Sequence, residues 1–152
     1  THLWLGFCLG MAPAAAWIAI RGTLEWPILL LTAAVTLWTA GFDIIYACQD
    51  VEFDRRAGLH SLPRRLGIRR ALQVSSMFHV VMLGLLVALA LVEGLGWISM
   101  AGLGVVAVLL AYEHHLVKPD DLSRVNAAFF TVNGYISVLF FLFWALDVAV
   151  LG

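Results

Sequence analysis

Along this chain the apolar positions neither alternate nor keep to one stripe of a 3.6-residue period. They run together in long blocks broken by short polar segments. Five blocks stand out, at about Leu3–Ile20, Trp26–Ala47, Ala71–Val92, Trp97–Val117 and Ala127–Leu151. Each has the roughly 17–25 residues that an α-helix needs to cross a bilayer. The breaks have local causes. Arg21-Gly22 ends the first block, and Pro27 suits the opening turn of the second. Glu93-Gly94-Leu95-Gly96 reads as a tight turn. Lys118-Pro119-Asp120-Asp121 stops the fourth block, and Asp121 or Ser123 is placed to cap the fifth. The expected fold class is therefore all-α, a multi-span transmembrane helical bundle occupying residues 1–152 as one domain.

Composition supports lipid as the solvent. Of 152 residues, 62% are apolar and only 12% charged, too little charge to cover a water-soluble domain of this size. The net charge of −1 gives no field that would attract nucleic acid. Cys8 and Cys48 stand 40 positions apart with no ligand spacing around them, and read as small apolar fillers. The opening Thr1-His2-Leu3-Trp4 lacks Met and a charged leader, which suits a piece of a longer protein rather than a signal peptide.

Charge is distributed unevenly between the connections. Arg55, Arg56, Arg64, Arg65, Arg69 and Arg70 lie between the second and third blocks, and Lys118 and Arg124 between the fourth and fifth. The other connections hold only Arg21. The positive-inside rule puts the eight-cation side in the cytoplasm, with the amino-terminal end there and the other end outside. Trp4, Trp26, Trp97 and Trp144 sit near block ends, where interfacial anchors belong.

Chemistry concentrates at the end of the second block. If that helix continues, Asp43, Tyr46, Asp50 and Asp54 share one face within about 80°, at roughly 100° per residue. Two readings are open. A solvated helix end would pair these acids with Arg55 and Arg56. That accounts for Glu52 and Asp54 but poorly for Asp43, which lies deeper, where a charge costs about 2.5–3.5 kcal/mol on insertion scales. Alternatively, Asp50 and Asp54, one turn apart, hold Mg²⁺, which is often bound by one or two carboxylates plus substrate phosphate. The following Gly58-Leu59-His60-Ser61-Leu62-Pro63-Arg64-Arg65 adds a hydroxyl and phosphate-binding cations, Arg64 or Arg65, whereas Arg69 and Arg70 read as topology determinants.

The pattern Asp43-x-x-Tyr46-Ala47-x-x-Asp50-x-x-x-Asp54 with Gly58-x-x-Ser61 resembles the second aspartate-rich motif of the UbiA-type aromatic prenyltransferases. The resemblance continues through Arg124-Val125-Asn126-Ala127-Ala128-Phe129-Phe130 and Asn133-Gly134, so it covers the chain as the carboxy-terminal half of such an enzyme. It implies five spans of a nine-helix bundle in which two aspartate-rich motifs bind a polyprenyl diphosphate through Mg²⁺. Asp50 and Asp54 would be metal ligands, and Asp43 and Tyr46 catalytic residues lining the cavity. Ser61, Arg64, Arg65 and Asn133 would contact substrate. His60 departs from the Lys found in many members. The first motif is absent, and with the rest of the missing amino-terminal half would belong upstream of Thr1. Phe42-Asp43-Ile44-Ile45-Tyr46 with Glu113-His114-His115 is similar to bacterial members that prenylate 4-hydroxybenzoate in ubiquinone biosynthesis, with a naphthoate in menaquinone biosynthesis as the alternative acceptor. A transporter using Asp43 as an ion site, or a purely structural subunit, are the readings from other classes.

Other polar residues carry bland expectations. Gln73, Ser76 and His79 form an interhelical seam, with His79 the best cavity-lining candidate. Glu113-His114-His115 reads as an interfacial polar cluster, since adjacent histidines on a helix diverge by about 100°. Asn126, Asn133 and Ser137 share a face of the fifth block, as packing seam or substrate contact.

Overall fold

The computed structural model describes residues 1–151; Gly152, the last position of the expected domain, lies outside the described residues. The elements are α1 (His2–Arg21), α2 (Trp26–Ala47), α3 (Val51–Ala57), α4 (Leu62–Leu66), α5 (Ile68–Val92), α6 (Trp97–Leu116) and α7 (Asn133–Leu151). A 3₁₀ turn, Cys48–Asp50, joins α2 to α3, and a π-helical segment, Ala127–Val132, leads into α7. Five helices are long and apolar enough to cross a membrane: His2–Arg21, Trp26–Ala57, Ile68–Val92, Trp97–Leu116 and Ala127–Val150. All five expected spans are present. The third begins three residues early because Gly67, with φ of 81°, ends α4 and lets α5 start at once.

Helix α2 lies at the centre, between α1 and α5, while α6 joins α5 to α7. Contact with α1 depends on small residues. Gly6, Gly10 and Ala14 are its buried positions, four residues apart on one face. A Cβ at Gly6 would stand 2.2 Å from the carbonyl oxygen of Thr36, so only glycine allows this approach. Most of the rest of α1, including Leu3, Phe7, Ile18 and Ile20, is exposed in this chain. The main core forms where α2, α5, α6 and α7 meet, around Ala34, Met82, Leu86, Leu103, Val106, Val132 and Ile136. A second core, with Ile44, Ile45, Cys48, Ala71 and Ala128, supports the cation-rich end.

Three expectations change. Trp4, Trp26 and Trp97 are exposed near span ends, but Trp144 packs against the main core with its ring 4.7 Å from Phe140. Asp121 does not cap a helix; its carboxylate accepts from the Ser123 backbone N–H at 3.0 Å and hydroxyl at 2.6 Å. Those bonds, chiefly the hydroxyl's, hold the Asp121 carboxyl below the usual range. Glu113 is not interfacial: it is 0% exposed inside the bundle.

An acid that the block pattern conceals organises the opposite end. Asp147, near the end of α7, is 1% exposed and accepts from the N–H groups of Gly96 at 2.6 Å and Ser99 at 3.1 Å. These are free donors at the first turn of α6, which has no side-chain cap of its own. Asp147 thus caps α6 from another helix, and the helix dipole favours its charge.

Candidate active site

The acidic segment is built by a change of helical pitch. The 3₁₀ turn Cys48–Asp50 advances about 120° per residue instead of about 100°. Three residues at that pitch rotate the next stretch of chain by roughly 60°. Asp50 and Asp54 therefore swing to the side of Asp43 away from Tyr46. The single stripe expected from a continuous helix is split. Asp43, Asp50 and Asp54 line one cleft, and Tyr46 turns toward the π-helical segment.

The cleft has about 400 Å³ of free volume and lies at the cation-rich end of the bundle. Besides the three aspartates it is lined by Thr1, His2, Ala47, Leu59, His60 and Ser61. Its far wall exists because the chain reverses after α3. Gly58 has φ of 71°, a left-handed conformation costly for other residues, and Leu59 N–H donates to the Asp54 carbonyl at 2.9 Å. The guanidinium of Arg64 donates to the Leu59 carbonyl and braces this reversal. Ser61 comes next, with its hydroxyl buried and lacking a hydrogen-bond partner.

The acids differ in their partners. Asp43 is bound by His2 Nδ1 at 2.6 Å, and His2 Nε2 accepts from the Leu62 N–H at 3.3 Å. Glu52 pairs with Arg55 at 3.0 Å. Among the described residues, Asp50 and Asp54 have no cation within ion-pair distance. Asp54 is only 8% exposed. A buried carboxylate without a counter-charge is costly, and a bound cation would relieve it. Buried Asp54 and exposed Asp50, one turn apart, are a donor set that suits Mg²⁺, which keeps waters and takes substrate oxygens for its remaining positions. Among the described residues, no group of three His, Cys, Asp or Glu side chains is arranged to hold a metal alone.

The Tyr46 ring packs against Phe129 at a 41° tilt with centroids 4.4 Å apart and meets Phe130 edge-on at 6.3 Å, with Phe42 against Phe129 at 5.3 Å. The π-helical segment makes this cluster, because its wider turn presents both phenylalanines to α2. Its loosened carbonyls are not orphaned: Asn133 Nδ2 donates to Ala128 O at 3.2 Å and Phe129 O at 3.1 Å. The same amide donates to Glu113 at 3.0 Å, and Asn133 Oδ1 accepts from Trp38 Nε1 at 2.9 Å. Asn133 therefore lies outside the cleft, with its amide taken up between helices. Arg65 is exposed on α4 and does not line the cleft.

Residues expected to act separately form one network here. His79, 2% exposed, faces the Trp38 carbonyl through Nε2 at 3.3 Å and His114 Nε2 through Nδ1 at 3.0 Å. Its Nδ1 lies 3.8 Å from Glu113 Oε2, which has no hydrogen-bond partner. A Cβ on Gly41 would collide with this imidazole at 2.3 Å. Sequence reasoning missed His2, which has no local signal, and Glu113, whose neighbouring histidines suggested the surface. Asp147 had a signal: an acid within an apolar span faces the bundle interior by default.

Comparison with known proteins accounts for this arrangement. The UbiA prenyltransferase family model matches residues 1–146. A 4-hydroxybenzoate octaprenyltransferase of Xanthomonas campestris pv. campestris is 33% identical over 136 residues, covering 88% of this chain and 45% of that protein. One from Vibrio campbellii is 29% identical, covering 91% of this chain and 48% of its own length. The apo structure of a UbiA homologue from Aeropyrum pernix K1 superimposes with a TM-score of 0.82 at 31% identity, over 97% of this chain and 55% of that one. The chain thus spans about half the length of the curated relatives it matches. Five apolar helices, the shared fold and the match across nearly all of its length make this chain a multi-pass membrane protein of the UbiA prenyltransferase family.

Proposed function

We propose that this chain forms the carboxy-terminal half of a Mg²⁺-dependent prenyltransferase that transfers a polyprenyl group from its diphosphate to 4-hydroxybenzoate in quinone biosynthesis. The observation that carries this is the cleft at the cation-rich end, with Asp50 and Asp54 free of cationic partners and an unpaired Ser61 hydroxyl beside them. The name shared by the matched relatives, 4-hydroxybenzoate octaprenyltransferase, favours the benzoate over a naphthoate. By the positive-inside rule the cleft opens to the cytoplasm, which in a bacterium places the protein in the inner membrane.

Asp50 and Asp54 would hold Mg²⁺, which when bound neutralises charge on the departing diphosphate. Ser61 is a ready donor to a phosphate oxygen, and Arg65 is the free cation nearest in sequence. Arg64 acts by bracing the 59–61 turn. Asp43, held by His2, is oriented at the inner edge of the cleft. The rings of Tyr46, Phe129 and Phe130 offer π-faces to an allylic cation, and the apolar spans exclude water from it.

The test is product formation by the complete enzyme with polyprenyl diphosphate, 4-hydroxybenzoate and graded Mg²⁺. Asp50→Asn and Asp54→Asn should each lower the rate by at least about 100-fold and raise the Mg²⁺ requirement. Full activity and an unchanged Mg²⁺ requirement in the double variant would refute the assignment. Faster turnover of a naphthoate would correct the acceptor while leaving the cleft's role intact.

A further inference from the structure

A second hollow, shallow and bearing polar groups on a largely apolar wall, lies at the cation-rich end, between α5 and α6. This open surface hollow has about 370 Å³ of free volume and is lined by Arg69, Gln73, Ser76, His114 and Lys118 together with Leu72, Val117 and Pro119. It shares no residue with the aspartate cleft, which belongs to α1, α2, α3 and the 58–61 turn.

His114 is engaged by His79, but the other donors of this pocket are unspent. Among the described residues, neither Arg69 nor Lys118 has a carboxylate within 4.0 Å. Nor, among the described residues, do the side chains of Gln73 and Ser76 make a hydrogen bond. Asp121, the acid closest to Lys118 along the chain after Asp120, has its carboxylate engaged by Ser123. The backbone fixes the position of Lys118: its N–H and C=O exchange 3.1 Å hydrogen bonds with Asp121 across Pro119-Asp120. Arg69 is fixed by the first turn of α5. A planar fork and a point charge thus face one hollow that also offers amide and hydroxyl donors, a combination that suits the oxygens of a phosphate. Directly above, toward the membrane, α5 exposes Met77 and Val80, an apolar track for acyl chains.

We propose that this pocket binds a phosphate-bearing group, the headgroup of an anionic phospholipid, with its acyl chains along the Met77–Val80 face of α5. The site is independent of the prenyl-transfer reading. Its cations then do more than set topology: they anchor the α5–α6 end of the bundle to the inner leaflet.

The test is native mass spectrometry of the purified protein with equimolar phosphatidylglycerol and phosphatidylcholine. The unsubstituted protein should retain phosphatidylglycerol over phosphatidylcholine by at least about tenfold, given roughly 1 kcal/mol per cation near an anionic surface. The double variant Arg69→Gln/Lys118→Gln should lose that preference. Arg55→Gln/Arg56→Gln, which removes equal charge outside the pocket, should keep it. Equal loss in both double variants, or no preference at the outset, overturns the proposal. Unchanged thermal unfolding of each variant checks that the fold is retained. Millimolar inorganic phosphate is the second arm: failure to displace the lipid assigns the pocket to headgroups, whereas displacement assigns it to phosphate itself.

Discussion

Replacing Asn133 with Ala removes the junction on which four helical segments converge. Trp38 Nε1 loses its acceptor, Glu113 loses its donor, and the Ala128 and Phe129 carbonyls lose their extra partner. A hydrogen bond to a charged group contributes about 1.5–3 kcal/mol and a neutral one about 1 kcal/mol. A simple sum reaches about 4.5–6 kcal/mol. Inside a membrane the separated helices find other partners, and measured interhelical bonds average only about 0.6 kcal/mol, with a maximum near 1.7 kcal/mol. Glu113 raises the effect above that average, because its side chain is fully buried and its other oxygen already lacks a donor. We expect a loss of about 1.5–3 kcal/mol for Asn133→Ala, or a Tm lower by roughly 4–10 °C in a chain of this size. Asn133→Asp should be at least as damaging, since it keeps the acceptor for Trp38 but sets a second carboxylate against Glu113. Adding Glu113→Leu to Asn133→Ala should recover part of the loss, because the buried carboxylate is no longer left without its donor, while Trp38 Nε1 still lacks its acceptor. Thermal unfolding in detergent, followed by helical circular dichroism, reads all three. If Asn133→Ala unfolds within about 1 °C of the parent and the complete enzyme shows only a raised KM for its aromatic acceptor, the residue is a substrate contact and the structural account fails.

Further perturbations test other parts of the bundle. Asp147→Ala strips two charge-assisted bonds from the start of α6 and should cost about 2–3 kcal/mol in unfolding, with Asp147→Asn near half of that; equal stability of all three forms would contradict the cap. Gly6→Leu drives a side chain into the Thr36 carbonyl and should cost about 1–3 kcal/mol, whereas Phe7→Leu on the exposed face should be neutral; equal effects would exclude the small-residue contact between α1 and α2.

Spans and turns were legible because lipid imposes one rule on every residue of a spanning segment. Twenty consecutive apolar positions leave little freedom, so the Trp26–Ala47 helix and the turn at Glu93-Gly94 followed from the one-dimensional pattern. What escaped depended on changes of pitch. Cys48–Asp50 tightens and Ala127–Val132 widens, and no residue in either segment compels it; the first separates Tyr46 from the aspartates and the second carries the phenylalanines to Tyr46. Partnerships across helices escaped too. Nothing near His2 announces Asp43, and nothing near Glu113 announces Asn133, because each pair is made by tertiary packing alone. The family resemblance identified the aspartates and Ser61 as a group, but not which of them would be left without partners.

The partners of the aspartates decide what the cleft can hold. Three carboxylates line it, and His2 answers only Asp43. At an effective dielectric near 20, two unit charges about 5 Å apart interact by about 3 kcal/mol. A diphosphate entering alone would meet that repulsion from Asp50 and Asp54 several times over. Two of the nearby arginines are already engaged, Arg55 by Glu52 and Arg64 by the Leu59 carbonyl. Divalent charge between the carboxylates and the substrate changes the sign of both interactions at once. The same residues that would repel an anionic substrate then recruit it. On this balance rests the proposal that these two acids, without a cationic partner among the described residues and with a free hydroxyl beside them, serve a diphosphate site rather than a solvated helix end.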